Sequence, residues 1–172
     1  VPDAFDVSVM CDHAYLFVID TEMTGSKAQA NEVFELGGVR CALEPGFAEV
    51  ESWGGRVKPK HIGNSVPAAL KVVGYNSKAW KDALELSVAF EKFAAVGKGA
   101  VITGWGIGQD MAFLPETARR TGVAWPFARV DLDVTPVARQ VLGSGRCARL
   151  HPGPRGDPPS RRRLCANAAL AP

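Results

Sequence analysis

The stretch LFVIDTEMTG, residues 16–25, runs four apolar residues straight into two acids, Asp20 and Glu22. In an extended strand, side chains at i and i+2 face the same way, so the two carboxylates point together. Such a pair repels itself, and desolvating either member is costly. A divalent cation offsets both effects, because Mg²⁺ prefers carboxylate oxygens together with water and phosphate. The plainer alternative is a strand that emerges into water at Asp20 with both acids solvated. The residues that follow favour a site. Gly25 lets a backbone approach a ligand closely, and the Thr24 hydroxyl can bind a sugar or phosphate oxygen. A third acid stands in AVITGWGIGQDMAFL, residues 100–114. There a short strand feeds a glycine-rich turn and then a helix bearing Asp110, which can aim across at the end of the first strand. Taken alone, Asp110 reads as a first-turn acid stabilised by the helix dipole. Three acids on two elements suit a metal cluster for phosphate chemistry, in which two cations clamp the attacking and leaving oxygens of an in-line displacement.

The elements that must position these acids follow from periodicity and turn residues. Tyr15–Ile19 reads as a central strand, short, apolar and partly β-branched. Glu32–Leu43 reads as a second strand with a bulge at Gly37-Gly38. Val50–Lys58 reads as a third, broken at Gly54-Gly55, giving an antiparallel meander. Val66–Val73 is a short helix stopped by Gly74. Apolar residues at 80, 84, 88, 90 and 93 predict a helix over Ser77–Phe93 with Ser77 as its N-cap. Ala100–Thr103 is a buried strand and Gly108–Thr121 a helix in which Pro115 is awkward. Val130–Leu132 and Thr135–Leu142 complete the order as strand and helix. Strands first, then alternating helix and strand, is a mixed α/β layout.

The bulk composition sets the bounds. A chain of 172 residues, 47% hydrophobic and 22% charged, suits a packed domain over residues 1–144. No apolar run approaches the roughly 20 residues that cross a bilayer. VPDAFDVSV at the N-terminus lacks the basic start of a secretory signal. Cys11, Cys41, Cys147 and Cys165 are far apart, as free thiols are in a reducing, cytoplasmic setting. Residues 145–172 differ in kind: Gly, Pro, Ala and Arg supply 19 of 28 positions, with six arginines against one aspartate. Such a tail buries little and is expected to be poorly ordered.

The ordered pair of motifs resembles the DnaQ-like 3′–5′ exonucleases, the DEDD superfamily of proofreading subunits, ribonuclease T and oligoribonuclease. The first motif, DxExTG, stands as Asp20-Thr21-Glu22-Met23-Thr24-Gly25, and Glu35-Leu36-Gly37 fits the strand after it. The second stands over Val101–Leu114 with Asp110 as its acid. Asp133, in VDLDVT, resembles a further family aspartate at a strand-to-helix junction, with a capping role. The resemblance covers residues 14–143. It implies a ribonuclease H-like α/β fold, a mixed five-stranded sheet with helices packed on it. It implies that Asp20, Glu22 and Asp110 hold two Mg²⁺ or Mn²⁺ ions. It also implies that Met23, Thr24 and Gly25 meet the substrate, and that a histidine deprotonates the attacking water. The activity implied is metal-dependent hydrolysis from the 3′ end of single-stranded DNA or RNA, releasing nucleoside monophosphates. The partners implied are that 3′ end and, beside it, a second copy of the chain or a polymerase.

The chain departs from the pattern in its last third. The third motif, HxAxxD, supplies the base and the last metal acid; the comparable segment here has Ala166 and Ala171 at both functional positions. Tyr15 and Tyr75, the only tyrosines, both precede the second motif. His151 and Asp157 stand six positions apart rather than five, in the Pro/Gly-rich HPGPRGD, and read as a solvated loop. Trp105, Gly106 and Gln109 stand where the family usually shows His, Asn and Phe. Gly, Pro, Ala and Arg all have codons made only of G and C, so a frameshift just after Leu150 would create the tail and erase the motif together. The alternative is a catalytically inactive nucleic-acid-binding module whose Arg161-Arg162-Arg163 meets phosphates. Two further readings compete. A DxDxT phosphatase of the haloacid dehalogenase type would need an aspartate where Glu22 stands. A GxGxxG dinucleotide loop at Gly104, Gly106 and Gly108 would need glycine at Gln109.

Overall fold

A strand that is apolar on both faces has to lie inside a sheet covered on both sides. β1 (Tyr15–Met23) is such a strand in the computed structural model, which describes residues 13–142. Phe17 and Ile19 on one face, and Leu16 and Val18 on the other, are all buried. β2 (Val33–Ala42) pairs antiparallel with β1, and β3 (Glu49–Arg56) antiparallel with β2. β4 (Val101–Gly104) runs parallel to β1 on its other side, and β5 (Asp131–Asp133) parallel to β4. The sheet order is β3-β2-β1-β4-β5. Four helices accompany it among the described residues: α1 (Pro67–Val73), α2 (Leu86–Gly97), α3 (Gly108–Thr121) and α4 (Thr135–Leu142). The expected mixed five-stranded α/β sheet is therefore observed.

The main core lies between one sheet face and helices α2 and α3. Phe17, Ile19 and Leu36 pack there against Phe90 and Phe93 of α2 and Phe113 and Leu114 of α3. The other face carries smaller clusters, Val18 with Val39 and Cys41, and Leu16 with Val101. Tail residues 145–172, the 166–171 segment, and Cys11, Cys147 and Cys165 lie outside the described residues, as does the tail boundary.

Four sequence expectations need correction. β1 does not end at Ile19; it continues through Met23, so both acids sit within a paired strand. Gly37-Gly38 is not a bulge: Gly37 pairs with Asp20 and Gly38 with Ile19 in continuous register, and the irregularity falls between Glu22 and Met23. Gly38 serves packing instead, since a Cβ there would collide with the Phe17 ring. Gly54-Gly55 does not break β3; both residues pair in register with Gly37 and Leu36. Finally, α2 begins at Leu86, not Ser77. Leu84 is drawn out as an isolated bridge to Val57, donating its amide to the Arg56 carbonyl and accepting from Lys58. Trp80 is taken by an aromatic group with Phe34 and Tyr75. The helical spacing of 80, 84 and 88 is thus shared between a turn, a bridge and a helix. Pro115 is accommodated inside α3.

Candidate active site

β1 delivers the acid pair. Asp20 stands opposite Gly37 and Glu22 opposite Glu35. Directly opposed like charges destabilise a sheet, and the register extends the row: Glu35 is itself opposite Arg56 on β3. Arg56 Nε donates to Glu35 Oε1 at 3.2 Å and Nη1 donates to the Ala79 carbonyl at 2.9 Å. Its guanidinium also lies 4.5 Å from the Trp80 ring centroid. A buried acid beside Glu22 is therefore matched by a cation held from three sides. Glu35 and Arg56 were missed as site neighbours because their only signal is the strand register, which the sequence leaves open.

α3 delivers the third acid. Asp110 lies in its first turn, after an N-cap, Ile107, that offers no side-chain hydrogen bond. Its Oδ1 accepts from the Thr21 amide at 3.1 Å and from the Thr21 hydroxyl at 2.5 Å, across 89 residues of sequence. Burial pushes the Asp110 carboxyl up to about 6; the Thr21 hydroxyl opposes this and the nearby Asp20 charge adds to it. The structure thus brings Asp110 onto the residue between the two β1 acids, as its position after β4 suggests.

The loop after β1 closes one side of the site. Met23 and Gly25 line an open cleft of about 330 Å³ with Thr21, Glu22, Ala69, Val72, Gln109 and Asp110. Thr24 is turned inward at 1% exposure. Its hydroxyl accepts from the Glu32 amide at 2.8 Å and its carbonyl from the Val66 amide at 2.7 Å. In this conformation that hydroxyl holds the loop. Gly25 has its own reason: a Cβ there would lie 2.6 Å from Asn31 Oδ1. Asp133 caps α4, its Oδ1 accepting from Thr135 at 2.8 Å, and also accepts from the Gly106 amide at 3.0 Å. Partial burial works against ionisation there, but the hydrogen bonds from Thr135, Gly106 and Ile107 hold this carboxyl below its usual range.

Three carboxylates are hard oxygen donors suited to Mg²⁺ or Mn²⁺ rather than to a soft-ligand metal. A cation would also relieve the burial penalty on Asp110. Among the described residues, however, no three His, Cys, Asp or Glu side chains are gathered closely enough to enclose an ion. Glu22 and Asp110 line the cleft and the Asp20 charge acts on Asp110; the donor chemistry suits a divalent cation, while the three carboxylates are not drawn into a closed cage. The described histidines are His13 and His61, and neither lines this cleft. His61 stands with Glu32, its Nδ1 3.0 Å from Oε1, in a separate cleft. Among the described residues no helix is long and apolar enough to cross a membrane.

The fold recurs in solved structures. E. coli exonuclease I in complex with a dA16 oligonucleotide superposes with a TM-score of 0.71 at 12% identity, over 92% of this chain and 40% of that one. A product-bound exonuclease I gives 0.68 at 13% identity, over 91% and 42%. A zinc-bound form of an E. coli exonuclease I complex with single-stranded DNA gives 0.69 at 14% identity, over 92% and 40%. The chain thus spans about two-fifths of these proteins' length, and at such identities the likeness is one of fold. No curated protein sequence matches the chain. The exonuclease family model that ribonuclease T typifies matches residues 17–151, from within β1 through all the elements above. It sets aside the phosphatase and dinucleotide-loop readings, and the chain belongs to this exonuclease family.

Proposed function

We propose that this chain binds the 3′ end of single-stranded DNA or RNA in the β1–α3 cleft and removes nucleoside monophosphates with the help of Mg²⁺ or Mn²⁺. Asp20, Glu22 and Asp110 are the residues that would hold the cation. When bound, a divalent cation supplies charge stabilisation at the scissile phosphate and lowers the pKa of a water. The observation that carries the reading is the contact of Asp110 with Thr21, which joins the two motifs at one place. Met23, Gly25, Ala69 and Val72 supply an apolar wall against which a terminal sugar and base can lie. Thr24 serves by holding that wall. The exonuclease I structures with single-stranded oligonucleotides support the choice of substrate. Among the described residues no histidine lines the cleft; with a cleft carboxylate or solvent as the proton acceptor, turnover is slowed by about 10²–10⁴-fold relative to a member with a positioned base.

A second reading is a binding module without turnover. It is favoured by the alanines at positions 166 and 171 and by the engagement of Asp110 Oδ1 with Thr21. One experiment separates the two. A 5′-labelled single strand, DNA and RNA in parallel, is incubated with Mg²⁺ or Mn²⁺, beside an Asp20→Ala protein and an EDTA control. A ladder shortening from the 3′ end, lost in both controls, supports the exonuclease. Metal-dependent binding without shortening supports the module. Neither binding nor shortening refutes both.

A further inference from the structure

The far end of α3 is tied to the loop that follows the acid pair. Arg120 Nη1 donates to the Asn31 carbonyl at 2.9 Å. Its Nη2 donates to the carbonyls of Ala28 at 2.6 Å and Gln29 at 3.0 Å. Nε donates to Glu116 Oε1 at 2.8 Å, which fixes the plane of the guanidinium. The loop is pinned from within by Asn31, whose Oδ1 accepts from the Lys27 amide at 3.0 Å and whose Nδ2 donates to the Asn64 carbonyl at 3.0 Å. At the near end of α3, Gln109 Nε2 donates to the Ser26 carbonyl at 3.1 Å. The helix that carries Asp110 therefore holds the 26–31 loop at two points, about 16 Å apart along its axis.

We propose that Arg120 is a positioning residue for the cleft: α3 acts as a splint, and through the 26–31 loop Arg120 fixes the Met23–Gly25 wall relative to Asp110. Arg120 does not line the acid cleft, so its effect on substrate is transmitted through the loop. The inference rests on the exonuclease-site reading above. The planar fork spreads its donors over three nitrogens and so spans the three carbonyls and Glu116 together; lysine brings the same charge with its three donors on one nitrogen. Arg119 supplies the control, because it makes a comparable ion pair with Glu116, at 2.7 Å, and no bond to the loop.

The test compares full-chain wild type, Arg120→Lys and Arg119→Lys. Hydrogen exchange is read at the amides of Thr24, Lys27, Asn31 and Glu32, all hydrogen-bonded within the loop region. Steady-state shortening of a 5′-labelled oligonucleotide gives KM and kcat. Arg120→Lys is expected to speed exchange at these amides by about tenfold or more. It is also expected to raise KM by about tenfold to a hundredfold with kcat within about twofold. Arg119→Lys is expected to change neither. Should Arg120→Lys fail to fold, Glu116→Gln, which weakens the Arg120 Nε contact together with the Arg119 pair that Arg119→Lys controls for, moves the same readouts in the same direction by less. Unchanged loop exchange overturns the proposal, as does an equal effect from Arg119→Lys or a fall in kcat at constant KM. A wild type that neither binds nor shortens the strand refutes the exonuclease reading instead, and the exchange comparison still decides the splint.

Discussion

On β1 the two acids are placed by the strand itself. Asp20 and Glu22 are two residues apart in a strand paired on both sides, with buried apolar residues leading into them. On α3 the third acid is placed by what the helix touches. Asp110 has no capping partner at Ile107 and takes its position from Thr21, while Gln109 and Arg120 tie the same helix to the next loop. The difference teaches that a strand carries its side-chain geometry with it, whereas a helix terminus must be aimed by tertiary contacts. Errors in the β1 pair should therefore be chemical, and errors around α3 geometric.

The largest expected effect tests the chemical side. Asp20→Ala or Glu22→Ala should reduce 3′ shortening by about a thousandfold or more while the circular dichroism spectrum is unchanged. Retained cleavage would mean that the β1 acids are not ligands. Next comes the rigidity of β1. Phe17 is fully buried against Phe93 and Phe127, so Phe17→Ala should destabilise the fold by about 3–5 kcal/mol in urea unfolding. A cost near 1 kcal/mol would remove the argument that β1 is the fixed reference.

The third prediction addresses the burial of Asp110 in metal-free protein. Its carboxyl rises from the ordinary 3.8 to about 6 on folding, chiefly through burial. The folded state then binds the proton more tightly than the unfolded one. Stability from this group is fully present below pH 4 and is lost as pH rises through about 6, by at most about 3 kcal/mol. In EDTA, Asp110→Asn keeps an acceptor for Thr21 and should be the more stable protein at pH 7, with the two converging near pH 3.5. A wild type as stable as the variant at pH 7 would show that burial does not press on this acid. The smallest effect concerns a cap. Asp133→Ala removes the acceptor for the amides of Thr135 and Gly106 and should cost about 1 kcal/mol in thermal unfolding. Cleavage should change less than in either β1 variant.

The sequence by itself determined the acid pair, the family and most of the elements. Period-two geometry, apolar runs and turn residues are local properties of covalent structure, and they are legible without a fold. Asp133 was legible as a cap through its resemblance to the family aspartate at a strand-to-helix junction, and its bonds to Thr135 and Gly106 bear that out. Other features waited for the tertiary structure. Leu84 kept helical spacing yet was drawn out to bridge Val57, because a backbone bond to β3 overrides a weak local preference. Glu35 became a neighbour of Glu22 only once β1–β2 pairing set the register. Thr21, set between two acids, gave no sign that it would receive Asp110 from 89 residues away. Arg120 stands in the last turn of α3, and only the tertiary structure brings the loop carbonyls to it. In each case a local code gives a side chain's direction along its own element, while the order of strands in the sheet decides what that direction meets.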